Sequence, residues 1–115
     1  MPRYLISFDD GAMDSLHDEL SEVGEAAHAV LLAAQEAGVW ISGGGVERQR
    51  ASIVDTDGTV SDGPYPETKA VIGGFSILDV SSREEALEWA AKIAASCRCA
   101  QEVREIMFDP ESTVT

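Results

Sequence analysis

The chain has 115 residues, 44% of them hydrophobic and 25% charged. That is enough for one folded domain over residues 1–115, too little for two, and not the makeup of a disordered segment. Aspartate and glutamate outnumber lysine and arginine 21 to 8 for a net charge of −13. With no basic cluster, this argues against binding nucleic acid or an anionic membrane surface.

The first residues alternate, with Tyr4, Ile6 and Phe8 on one face, and predict a strand from Arg3 to Phe8. Asp9 and Asp10 follow too soon for a signal-peptide core, and no apolar run approaches the roughly 18 residues that span a bilayer. The protein is expected in the cytoplasm. Asp14 can cap a helix running to about Ala37, where Gly38 terminates it. Leu16, Leu20, Val23, Ala27, Val30 and Ala34 recur every three or four residues as its buried stripe.

Val39-Trp40-Ile41 is a short apolar run expected to break at Gly43-Gly44-Gly45. Those glycines lack the helix start and lysine of a phosphate loop, and no cofactor is expected. Ala51 to Val54 predicts another strand, and Asp57-Gly58 a hairpin turn into Thr59-Val60. Ala70 to Val80 is the longest apolar stretch and predicts the central strand. Ser82 and Glu85 have the spacing of a capping box. They open a helix whose buried stripe is Ala86, Ala90, Ile93 and Cys97. Gln101 to Phe108 predicts the last strand.

The order β-α-β-β-(β)-β-α-β is that of an α+β, ferredoxin-like subunit, an antiparallel sheet with two helices on one face. The strands carry apolar residues of both parities: Leu5 with Ile6, Ile77 with Leu78, Met107 with Ile106. The uncovered face would then expose more apolar surface than soluble monomers usually show, which predicts a homodimer.

The connection Asp62-Gly63-Pro64-Tyr65-Pro66-Glu67-Thr68-Lys69 holds two acids, a base, a hydroxyl, a phenol and two prolines. A loop that only turns does not require that mixture, so it is a candidate ligand wall. Tyr65, Glu67, Thr68 and Lys69 are candidate contacts for a small molecule, with a Glu67–Lys69 ion pair as the plainer account. Asp62 can either shape the turn by accepting backbone amides or act on a substrate. At about 100° per residue, His28 falls on a flank of the first helix, where an imidazole could serve as acid or base. The flank reading places a cleft between the first helix and the Asp62–Lys69 loop. Cys97 and Cys99 lack the partners of a structural zinc site and read as small apolar fillers, so no metal is expected.

With the loop and the element order in hand, the chain resembles the YCII-related family, and within it the branch named for its Asp-Gly-Pro-Phe motif. The motif stands here as Asp62-Gly63-Pro64-Tyr65. It is followed by Gly73-Gly74-Phe75, then Glu85-Ala86-Leu87-Glu88-Trp89-Ala90, then Glu102-Val103-Arg104. Tyr65 replaces the usual phenylalanine, and Cys97-Arg98-Cys99-Ala100 stands where relatives usually have proline and glycine. The resemblance implies a dimeric α/β barrel. It also implies His28 and Asp62 as an acid–base pair of a lyase or hydrolase type. Members encoded beside sigma factors imply an alternative, a non-enzymatic regulatory dimer with a protein partner in a sigma-factor pathway.

Overall fold

A computed structural model describes residues 2–9, 20–46, 51–63 and 72–112. Six strands and two helices follow one another: β1 (Arg3–Asp9), α1 (Leu20–Glu36), β2 (Trp40–Gly45), β3 (Ser52–Val54), β4 (Val60–Asp62), β5 (Ile72–Asp79), α2 (Arg83–Cys97) and β6 (Glu102–Glu105). Four strands make an antiparallel sheet in the order β2-β5-β1-β6, while β3 and β4 pair only with each other. The β1-α1-β2 crossover skips over β5, which is the split β-α-β arrangement of the ferredoxin-like plan. The fold class is the one expected.

Alternation along the strands decides which face is dry. Tyr4 and Ile6 of β1 lie opposite Leu78 and Ser76 of β5. They pack with Ala34 of α1 and with Ala86, Trp89 and Ala90 of α2 in a single core. Ile6, Leu78 and Val80 are fully enclosed. The Tyr4 hydroxyl donates to Glu105 Oε1 at 3.1 Å, tying β6 to β1. Burial, then that carboxylate, pushes the phenol up from its ordinary value.

Helix α1 ends in a Schellman motif. Gly38 takes φ 75° and its N–H donates to the Gln35 carbonyl at 3.0 Å, while Val39 N–H donates to the Ala34 carbonyl at 3.1 Å. Val39 and Ala34 are both buried in the core, supplying the apolar contact that goes with this cap. At the end of α2 no glycine is present, and Arg98 itself adopts the left-handed conformation, φ 58°.

Three expectations need correction. Strand β2 does not break at Gly43 but runs through Gly45, because all three glycines pair with β5, opposite Ser76, Phe75 and Gly74, and at Gly43 the β5 backbone leaves no room for a Cβ. The last strand stops at Glu105 rather than Phe108. Ile106 N–H still donates to the Arg3 carbonyl at 2.8 Å, but β1 begins at Arg3, and the Pro2 carbonyl before it faces the other way, accepting from Val80 N–H at 3.0 Å. The predicted capping box is shifted by one residue. Ser82 does accept from Glu85 N–H at 3.2 Å, yet the Glu85 carboxylate turns to the N–H and hydroxyl of Ser81 instead of Ser82.

The Glu85 contacts have a pH signature. Bonds from the Ser81 hydroxyl and then its backbone N–H hold the Glu85 carboxyl below its ordinary value of 4.5. A lowered folded value contributes stability above the ordinary value, and that contribution is lost as pH falls through the folded value. Wild type should therefore be more stable than Glu85→Gln at neutral pH by a constant margin. Denaturant unfolding should show the margin shrinking as the pH drops below the ordinary glutamate range. A margin that widens toward acid would contradict the Ser81–Glu85 account.

Candidate functional site

Helix α1 presents its stripe to the sheet, and from Val23 to Ala34 only the two end residues are sealed. Val23 and Ala34 are 2% exposed, whereas Ala27 and Val30 between them are half-buried. Under them lies a cavity of about 320 Å³. Its origin is a meeting of small residues. Gly24 and Ala27 on α1 face the Gly43–Gly45 run of β2, with Phe8 and Trp40 at the sides and Ile93, Ser96 and Cys97 of α2 closing the end. Such a volume sits at the lower end of ligand sites, roughly 300–1,000 Å³.

The described walls are mainly apolar, and the described polar groups on them carry no formal negative charge. His28 stands one helical turn beyond Gly24 on the same flank of α1, exposed to solvent yet part of the cavity wall. The Ser96 hydroxyl donates to the Ile93 carbonyl at 2.9 Å, which leaves its oxygen lone pairs able to accept.

Asp62, the other predicted site residue that the structure describes, falls elsewhere. Asp62 is exposed and ends β4, opposite Ser52 at the open end of the β3–β4 hairpin, and is not on the cavity wall. Among the described residues no hydrogen bond joins it to His28. The residues whose amides Asp62 would accept lie outside the described ones, and carboxylate-to-backbone bonds are described at the hairpin's closed end. There Asp57 Oδ1 accepts Thr59 N–H at 2.9 Å and Asp55 Oδ1 accepts Thr56 N–H at 2.7 Å. The Thr59 contacts hold the Asp57 carboxyl below its ordinary value. Tyr65, Glu67, Thr68 and Lys69 lie outside the described residues, as do Asp14, Leu16 and His17.

Cys97 is buried and Cys99 half-buried, both as free thiols. Burial, then the neighbouring Cys97, pushes the Cys99 thiol up from its ordinary value, so at neutral pH it stays protonated and a poor nucleophile. No group of three or more metal-ligating side chains occurs among the described residues. No helix among them is long and apolar enough to cross a membrane.

Residues 3–108 match the sequence profile of the YCII-related domain. The chain belongs to the YCII-related family. The match spans every strand and helix described above, so the cavity is part of the YCII-related domain itself and not of an appendage. No curated protein matches the chain.

Helical phase puts His28 on a flank of α1, but sequence reasoning missed the small-residue wall opposite it. A signal was present: Gly24 interrupts a segment of otherwise good helix formers, where glycine is the least favourable ordinary residue.

Proposed function

We propose that this YCII-related domain binds a small molecule in the cavity between α1 and β2, with His28 as the polar contact at its mouth. The observation that carries the reading is the 320 Å³ space, apolar among the described residues, with the His28 imidazole on its wall. An imidazole can donate or accept a hydrogen bond and so orient a ligand held by apolar contact. Because Asp62 stands on the separate hairpin, the proposal is for binding rather than for His28–Asp62 acid–base chemistry. The Asp62-Gly63-Pro64-Tyr65 sequence supports assignment to the Asp-Gly-Pro-Phe branch of the family.

The same proposal has the domain working as a homodimer. The face of the sheet away from the helices carries Leu5 and Ile77, half-buried, and Ile41, 40% exposed. At its rim Met107 and Phe108 are 89% and 87% exposed. A second copy laid face to face would cover this apolar surface.

The test of binding uses p-cresol as a neutral aromatic probe in a ¹H–¹⁵N NMR titration. Shifts should concentrate at Ala27, His28 and Gly45. His28→Ala should weaken the apparent affinity about three- to tenfold, the loss of one hydrogen bond of about 1 kcal/mol. No saturable shift up to about 10 mM, or shifts confined to other surfaces, would defeat the proposal.

A further inference from the structure

Eight of the described glycines separate into three groups by the reason each is a glycine. Gly38 and Gly58 hold positive φ angles. At Gly43, Gly63 and Gly74 an added Cβ would fall within 3.1 Å of another atom. Gly24, Gly44 and Gly45 have no such reason: a Cβ on Gly24 or Gly44 would meet nothing within 4 Å, and one on Gly45 only the Gly73 carbonyl oxygen at 4.0 Å. All three line the cavity. Gly44 has the opposite parity along β2 from Gly43 and Gly45 and projects to the other face of the sheet. Gly24 and Gly45 remain, one on each side of the empty space.

Gly24 is the more telling of the two. It sits within α1, where an alanine would be favoured by intrinsic propensity and would touch nothing. Neither packing nor backbone conformation explains it. What its missing side chain does is leave the rim of the cavity open beside His28.

We propose that the cavity admits a compact, uncharged, mostly apolar molecule bearing at most a hydroxyl or carbonyl group, and that Gly24 sets the size it admits. This rests on the reading of the cavity as a binding site. Phe8, Val23, Leu31, Trp40 and Ile93 give the ligand apolar contact, and among the described residues no carboxylate, ammonium or guanidinium group lines the space. A charged ligand would therefore lose its hydration with no countercharge to replace it. An anion would meet the further opposition of a chain carrying −13. A ligand hydroxyl, in contrast, can donate to the Ser96 oxygen or exchange a hydrogen bond with His28.

The experiment compares p-cresol with two charged molecules of like shape, 4-methylbenzoate and 4-methylbenzylammonium, on wild type and on Gly24→Ala and Gly24→Leu. Wild type should bind p-cresol at least tenfold more tightly than either charged probe. Gly24→Leu should weaken p-cresol at least tenfold without lowering the melting temperature. Gly24→Ala should raise the melting temperature by about 4 °C, in line with its helix propensity, and weaken binding less. Tighter or equal binding of a charged probe would overturn the ligand class while leaving the cavity a binding site. Unchanged p-cresol binding by Gly24→Leu would overturn the role of Gly24. Failure of all three probes on wild type would remove the binding reading and this inference together.

Discussion

Gly43→Ala is expected to destabilise the fold by about 3 kcal/mol, although it adds a single methyl group. The new Cβ would fall 2.5 Å from the Phe75 carbonyl oxygen and 2.9 Å from the Ser76 Cα, both backbone atoms of the neighbouring strand. It would also lie 2.8 Å from Cη2 of Trp40, which packs against the core. A flexible side chain could swing aside, but a strand paired on both edges cannot. β5 is held by β2 on one side and β1 on the other, so relief requires breaking a ladder. Gly44→Ala is the matched control, since its Cβ would meet nothing within 4 Å. Denaturant unfolding should separate the two variants clearly. A Gly43→Ala variant within about 1 kcal/mol of wild type would mean that β2 does not approach β5 as closely as described.

The second large effect is on assembly. The wild-type protein is expected to have twice the 12.3 kDa mass of one chain in light scattering at micromolar concentration. Replacing Ile41 and Phe108 together by aspartate should give the single-chain mass. Both side chains are exposed in the single subunit, so neither substitution disturbs its core. In a face-to-face pair each would place an unpaired carboxylate in an apolar interface. A dissociation constant raised at least a hundredfold, equivalent to about 3 kcal/mol, is the expected readout. A wild-type protein that already runs at the single-chain mass would refute the dimer. A double variant that keeps the doubled mass would move the interface away from this face.

Most of the fold was legible because its signals are local or periodic. Two-residue alternation marked β1, the three-to-four spacing marked the stripes of both helices, and Asp57-Gly58 marked the β3–β4 turn. The errors share a cause: they lie where a neighbour decides. Gly43–Gly45 is a poor strand by propensity but an obligatory one beside β5. Ile106 to Phe108 has strand-like composition, yet β1 begins at Arg3 and offers no strand residue to pair with it beyond Ile106. Adjacent serines at 81 and 82 offer Glu85 two similar partners, and only the completed turn selects Ser81. The site divides in the same way. The flank position of His28 follows from helical phase alone. The space in front of it exists because Gly24 and Ala27, some twenty residues from Gly43 and Gly45 along the chain, face them in the fold. No one-dimensional pattern contains that juxtaposition.

The hairpin of β3 and β4 pairs with no strand of the main sheet. Two-stranded ribbons are marginal on their own, so its opening is an event separate from global unfolding. Asp62 consequently belongs to a part of the molecule whose amide protons should exchange by a local route while those of β1 and β5 await rupture of the whole domain. Evolution or an engineer can lengthen, recharge or replace that ribbon without drawing on the cohesion of the four-stranded core.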